Sequence, residues 1–501
     1  MVCIKSNVRN LGGLIATSLL GEACINRKRR TCIGNKKSDF SIVLRERESR
    51  LQGEGRNRSM HHTKETNAGQ VGSDKHLQTS LNDIERKAKY KQDHKFENLY
   101  GLLNKRNLEQ SWNYINKRAS RGIDKISAKE FGENLTKEVT KMEQELLNDS
   151  YHANLVRRTY IDKPNGDKRP LGIPTVRDKL LQTTCSKILE AIYEPKFFST
   201  RYGYRKGKGA KDAVKHLSKE LNFGKYGYIV EADIKGYFQN INHEVLIEML
   251  RHDIKDKRFI ALLNKWLKAG IMTAENIIEK PDKGTPQGGV ISPILANIYL
   301  HYILDLWFEK VVKKNLEGES MMIAYADDFV CAFRYHKDAI KFKEALEKRF
   351  KKFGLELAKE KTNLIKFSRF SKDRNGSFDF LGFTYKWIIS RKGKDIITHI
   401  TSKKKFKASV QKIKQWIKEN RHKRIRKLIE LLNMKLKGYY NYYGLVGNSK
   451  MLYKMDLVVK RLLYKWMNRR SQRQSFNWVD FNVKLNHRNC HYLNHKTIHR
   501  Y

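Results

Sequence analysis

One stretch constrains this chain more than any other: MMIAYADDFVCAF, residues 321–333. An apolar run stands on each side of the adjacent carboxylates Asp327 and Asp328, which predicts two neighbouring buried strands joined by a tight turn carrying both aspartates. An acidic turn held between apolar strands is unfavourable unless a cation sits on it. That cation is either a lysine or a hard divalent metal such as Mg²⁺, the kind of ion that carboxylate oxygens ligate. A solvated Asp-Asp turn is the plainer alternative, and the rest of the sequence has to choose.

Composition points to the partner. Against 53 Asp and Glu stand 102 Lys and Arg, a formal charge of +49 spread from Arg27 to Arg500. Such an excess opposes compaction by self-repulsion and suits a polyanion that releases counterions on binding, so nucleic acid is expected over a large footprint. An anionic membrane surface is the lesser alternative, because no run of 18 or more apolar residues exists to span a bilayer. With 501 residues, 40% of them hydrophobic, the chain can build cores for roughly two to four domains. Cysteines 3, 24, 32, 185, 331 and 490 are scattered without a Cys-x-x-Cys pair, which fits a reduced, cytoplasmic protein and no disulfide framework. Lys5 and Arg9 precede LGGLIATSLLGEAC, a loose likeness to a signal peptide, but the apolar run is short and Glu22 falls near the cleavage point, so export is not expected.

Along the chain, residues 1–80 read as a loosely ordered basic extension. Helical spacing starts near Leu81 and includes a long amphipathic helix from Ala128 to Leu147. LVRRTYIDKPNGDKRPLGIPT (155–175) is a hairpin pattern whose tip gathers Lys163, Lys168 and Arg169. A helix from Asp178 to Tyr193 and the Gly-rich basic block YGYRKGKGAKDAV (202–214) follow. A buried strand Tyr228–Ala232 ends at Asp233, and KGTPQGGVISPILANIYL (283–300) is a loop feeding an apolar helix. After the Asp-Asp hairpin come a helix (Ala339–Phe353) and two strand-like stretches, GLELAKEKTNLIKF and FDFLGFTY. The order gives an α+β fold with a central antiparallel sheet, then a basic helical region with interleaved aromatics from about Ser402. If the strand ending at Asp233 lies beside the hairpin, Asp233, Asp327 and Asp328 converge into a hard-ligand site for two Mg²⁺ ions, which predicts nucleotidyl transfer.

Tyr325-Ala326-Asp327-Asp328 matches the Tyr-x-Asp-Asp signature of reverse transcriptases, and six further blocks stand in that family's order: IDKPNGDKRPLGIPT, YGYRKGKGAKDA, EADIKGYFQNI, GTPQGGVISPILANIYL, LAKEKT and FDFLGF. With KLKGYYNYYG and the basic C-terminal helix, the chain resembles a bacterial group II intron-encoded reverse transcriptase and maturase over about residues 80–485. The resemblance implies a right-hand polymerase: fingers over 81–222, palm over 223–398, thumb or maturase domain over 399–460 and a basic segment over 461–501. It implies Asp233, Asp327 and Asp328 as metal-binding carboxylates, with Lys163 and Arg169 gripping the triphosphate. Phe238 matches the bulky position that excludes a 2′ hydroxyl, Gln287 the nucleotide pocket and Lys361 a lysine near the primer terminus. Without that context Phe238 would be read as core, and Lys163 and Lys361 as surface lysines.

Arg205 corresponds less securely to a template contact, since Arg205-Lys206-Gly207-Lys208-Gly209 lacks the family's proline. At the C-terminus, Arg469, Arg470, Arg473 and Trp478 combine phosphate contact with stacking, as a nucleic-acid surface does. Of Tyr439, Tyr440, Tyr442 and Tyr443, at least two are expected in the core. His487, Cys490, His491, His495 and His499 have spacings compatible with zinc but read more simply as a polar tail, and no nuclease module is expected. The implied partners are the intron RNA, an RNA template, a DNA primer or target, dNTPs and, at the protein level, a second copy of the chain; no membrane is expected. The alternatives are a related reverse transcriptase of phage defence or DNA repair, and a splicing-only RNA-binding maturase.

Overall fold

The computed structural model describes residues 77–162, 166–273, 275–370, 376–470, 472, 475–486 and 492. Lys163, Arg473 and the His487, Cys490, His491, His495 and His499 cluster lie outside them, as does most of the basic extension.

Four helices open the described chain: α1 (Leu77–Tyr90), α2 (Lys105–Trp112), α3 (Ala128–Glu133) and α4 (Leu135–Leu147). A capping box starts α3, with the Glu130 amide donating to Ser127 Oγ at 3.2 Å and the Ser127 amide to Glu130 Oε2 at 2.7 Å. The single helix expected from Ala128 to Leu147 is two helices. Gly132 lies so close to the Trp112 ring that a Cβ there would approach it to 3.0 Å, and Asn134 leaves helical geometry.

The expected hairpin is present as β1 (Val156–Asp162) and β2 (Lys168–Ile173), antiparallel, with Ile161 opposite Arg169. Then follow α5 (Val176–Tyr193), β3 (Arg201–Tyr202), α6 (Ala210–Phe223), β4 (Tyr228–Ala232), α7 (Tyr237–Asn240), α8 (His243–Asp253), α9 (Lys257–Leu267), β5 (Ile271–Met272), β6 (Ile278–Glu279) and α10 (Ser292–Leu300). The last continues into π-helical turns at His301–Asp305 and Phe308–Val312. Next come β7 (Ser320–Tyr325), β8 (Asp328–Phe333), α11 (His336–Lys352) and β9 (Asn363–Lys366). Strands β2, β1, β5 and β6 form one sheet, and β3, β7, β8, β4 and β9 form the central one, antiparallel except for the short β3–β7 pair.

From Met321 to Ala324 and from Phe329 to Phe333, β7 and β8 are apolar because both faces of the central sheet are covered. Met322, Ala324, Phe329, Cys331 and Phe333 belong to the larger core, shared with α5, α10 and α11. Met321, Ile323, Val330 and Ala332 alternate with them and enter a second core with α6 and the C-terminal elements. The sequence therefore shows an unbroken apolar run where a one-sided sheet would alternate with polar residues.

FDFLGFTY is not one strand. Leu381 (φ +51) and Gly382 (φ +78) make a two-residue turn between β10 (Ser377–Phe380) and β11 (Phe383–Ile389), as a type I′ hairpin requires. With β12 (Asp395–Thr401) these strands form a separate three-stranded sheet. Helices α12 (Lys403–Asn420), α13 (Ile425–Tyr443), α14 (Ser449–Met467) and α15 (Trp478–Asn486) pack beyond it. Tyr440 and Tyr443 are buried and Tyr442 is exposed, in line with the expectation for this group. The domain border expected at 398 falls inside β12, and the one at 460 inside α14.

Candidate active site

The site forms where the central sheet brings two chain segments to one edge. Tyr325 pairs with Asp328 across the β7–β8 hairpin, so Ala326 and Asp327 are the whole turn and Asp328 opens β8. Ala326 has φ +55 at the first central position, the sense of a II′ turn that normally takes glycine. Holding an L-residue there costs roughly 1–2 kcal/mol. Strand β4 lies beside β8 with Ala232 opposite Phe329, so the next residue, Asp233, comes level with Asp328 on the same face. The convergence expected from sequence is therefore what the register produces.

Electrostatics record that crowding. Loss of water raises the Asp327 carboxyl above the ordinary range, and the charge of Asp233 adds to it, against pulls from Arg169 and Lys361. Asp328 keeps solvent contact, yet crowding by the surrounding protein, followed by the charges of Asp327 and Asp233, pushes its carboxyl up to about 6. Asp233 is turned onto Lys361, whose Nζ donates to Asp233 Oδ2. That lysine is presented by its own backbone: the Ala358 amide donates to the Asp233 carbonyl at 2.8 Å, and the Lys361 amide to the Ala358 carbonyl at 2.9 Å. The lysine that the acidic turn calls for is thus present beside it, bonded to Asp233 and acting by charge on Asp327 and Asp328.

Among the described residues no group of three or more His, Cys, Asp or Glu has ready metal-holding geometry. The donor set nevertheless fits Mg²⁺. It consists of oxygen donors whose mutual repulsion a divalent cation would offset, and whose third member is engaged by a lysine that is largely exposed.

Around the carboxylates stand the other expected residues. Phe238 follows Gly236 (φ +57) in α7, is half-buried, and meets the Tyr204 ring edge-on at 6.3 Å. The Thr285 amide donates to the Phe238 carbonyl at 2.7 Å, and the Gly172 amide of β2 donates to the Gln287 carbonyl at 2.8 Å. The loop carrying Gln287 thus ties the Phe238 turn to the basic hairpin. A Cβ on Gly172 would come within 3.1 Å of Pro286, so the close approach needs glycine. Arg169 is exposed on β2 and near enough for its charge to oppose, without reversing, the burial that raises the pKa of both Asp327 and Tyr204.

Arg205 is a correction. Its Nε and Nη2 donate to Glu194, at 2.9 and 2.8 Å, and its Nη1 to the carbonyls of Phe198 and Arg201, at 2.8 and 2.6 Å. With its side chain 4% exposed, it is bound to Glu194 and to its own loop, where the sequence reading expected a free cation. At the C-terminus, Arg469 lies over Trp466 at 5.8 Å, Arg470 donates to the Lys423 carbonyl at 2.8 Å, and Trp478 packs edge-on to Tyr464 at 5.2 Å; all three remain exposed.

Sequence reasoning missed what lies beneath the turn. Arg201 of β3 and Asp305 of the π-helical turn form an ion pair, 1% and 2% exposed. Arg201 Nη2 donates to Asp305 Oδ1 at 2.6 Å, and Nη1 to the carbonyl of Ala326 at 3.1 Å. Burial holds the neighbouring His301 ring below its usual pKa, so Arg201 is the cation that balances Asp305. A lone aspartate in the apolar run YLHYILDLWF was the available signal, since a buried carboxylate demands a partner.

Two family models match this chain: reverse transcriptase (RNA-dependent DNA polymerase) over residues 161–385, which contains the whole carboxylate site, and the group II intron maturase-specific domain over residues 406–480. The molecule is an RNA-directed DNA polymerase joined to a maturase domain, in a mixed α/β fold followed by helices. The group II intron-encoded protein LtrA of Lactococcus lactis subsp. cremoris is 32% identical across 68% of this chain and 68% of its own length. An uncharacterized 91 kDa protein in a cob intron of Schizosaccharomyces pombe is 43% identical across 36% of this chain and 21% of its own. Protein YkfC of Escherichia coli is 32% identical across 42% and 62% respectively. This chain belongs to the group II intron-encoded reverse transcriptase and maturase family.

Proposed function

We propose that Asp233, Asp327 and Asp328 are the metal-binding carboxylates of the polymerase, in a right-hand arrangement with the β1–β2 hairpin in the fingers, the central sheet as palm and the C-terminal helices as thumb. The observation that carries this is the register that sets Asp233 level with Asp328 beside the Asp327 turn. Two Mg²⁺ ions held there would activate a primer 3′ hydroxyl and stabilise the departing pyrophosphate. Arg169 and Lys163 grip the triphosphate, Arg169 by its planar fork. Phe238 closes the pocket against a 2′ hydroxyl, with Gln287 beside it. Lys361 holds Asp233 until nucleotide and metal arrive, then is free for the primer terminus or the triphosphate.

The C-terminal region would bind intron RNA and DNA, with Arg469, Arg470 and Trp478, and by the sequence reading Arg473, among the contacts, so maturase action is binding that steadies the folded RNA. Target-primed copying of the intron into DNA, as a single chain or as a pair of copies, belongs to the same reading. A cytoplasmic, bacterial setting is supported by the Lactococcus relative and by the free, buried thiols Cys185 and Cys331. Among the described residues no helix is long and apolar enough to cross a membrane. Primer extension on an RNA template with Mg²⁺ and dNTPs tests the site: wild type must extend, and Asp327→Ala must not. Extension by Asp327→Ala at the wild-type rate removes the assignment.

A further inference from the structure

We propose that Arg201 is a positioning residue for polymerisation: its buried guanidinium, anchored by Asp305, clamps the carbonyl of Ala326 and so fixes the turn that aims Asp327. The inference rests on the metal-site reading above and extends it one layer beneath the carboxylates.

The turn is held from two sides. On the amide side, the Ala326 N–H donates to the Tyr202 carbonyl at 2.9 Å. On the carbonyl side stands Arg201 Nη1, 3.1 Å away. Both grips come from one segment, Arg201–Gly203. Gly203 (φ +82) abuts the turn so tightly that a Cβ there would lie 2.9 Å from the Ala326 nitrogen, and its carbonyl accepts from Asn297 Nδ2 of α10 at 3.0 Å. The strut is thus fixed to the core behind it.

The clamp answers a specific need. Ala326 occupies left-handed backbone space without being glycine, and such a residue persists only where its surroundings over-determine it. Reorienting the Ala326 peptide would swing Asp327, the next residue. An arginine suits the task because one planar group reaches Asp305 and the carbonyl together. Asp305 itself sits in a π-helical turn, an irregularity frequent at functional sites.

Removing one partner alone would strand a buried charge, so the informative variant replaces both, Arg201→Met with Asp305→Leu, since buried ion pairs often give way to apolar residues without loss of fold. The full-length variant is compared with wild type and Asp327→Ala. It should keep its melting temperature within a few degrees and its primer–template affinity within about threefold, yet lose about 10- to 100-fold both in kcat at little-changed dNTP KM and in Mn²⁺ affinity read by electron paramagnetic resonance. Wild-type kcat and Mn²⁺ affinity in a folded double variant overturn the inference alone if Asp327→Ala has lost both. If Asp327→Ala keeps both, the metal-site reading falls and this one with it. Should the double variant not fold, Arg201→Lys decides: faster hydrogen exchange of the Ala326 and Asp327 amides with lower kcat supports the clamp, and unchanged exchange and kcat overturn it.

Discussion

Between residues 226 and 340, 14 Lys and Arg stand among 16 Asp and Glu; between 401 and 470, 21 stand among only three, Glu419, Glu430 and Asp456. The two regions handle charge in opposite ways. Around the central sheet it is paired and placed: Arg201 on Asp305, Lys196 on Asp253, Lys361 on Asp233. On the C-terminal helices cations crowd a surface while Leu428, Leu432, Leu436 and Tyr440 fill the interior. A site of the kind proposed above needs a few charges at fixed points. Where a polyanion is held, many exposed cations contribute a little each.

Single substitutions test that division. Asp327→Ala should lower primer extension by about a thousandfold or more while leaving primer–template affinity near wild type, because metal-borne charge stabilisation is worth several kcal/mol. A matching fall in affinity would mean that the sheet also does the holding. Phe238→Ala should relax discrimination against rNTPs by about tenfold or more in competing incorporation assays. Unchanged discrimination would return Phe238 to the core. In the C-terminal region, just past α14, Arg469→Gln should weaken RNA binding only about two- to threefold, and flatten the slope of log affinity against log salt by up to about one unit. A complete loss from that one change would overturn the picture of a distributed surface.

The smallest effect concerns Asp328. A carboxyl whose pKa is raised by folding holds its proton more tightly folded than unfolded. Its ionisation removes stability as pH climbs from the ordinary value of 3.8 to about 6, and none returns above that. Without divalent cation, Asp328→Asn should therefore melt about 2 °C above wild type at pH 7. The gap should close below about pH 4, where both forms are neutral. An equal gap at both pH values would assign the effect to something other than titration.

What could be read in the sequence was local or periodic. The strand Tyr228–Ala232, both hairpins and the apolar helix after the Gly-Pro loop follow from patterns a few residues long, and the carboxylate site follows once those strands are neighbours. The reverse-transcriptase and maturase likeness matched the family the chain belongs to. What escaped depends on distant partners or on backbone sign. Arg201 looks like one more of 102 cations until Asp305 arrives from a separate helix. Arg205 looks free until Glu194 takes it. Leu381 and Gly382 look like strand, and only their positive φ values reveal the turn.

The second core, finally, ignores the border between the two family models. Ile229, Ile323 and Val330 of the central sheet share it with Phe380 and Phe383, and with Leu432, Leu436 and Leu452 of the helices. Tyr442 of α13 reaches across as well, donating its hydroxyl to the Leu381 carbonyl at 3.0 Å. The reverse-transcriptase region and the C-terminal helices therefore share one core. A substitution that repacks this core from the helix side therefore also changes what lies against Ile323 and Val330, in the hairpin that carries Asp327 and Asp328.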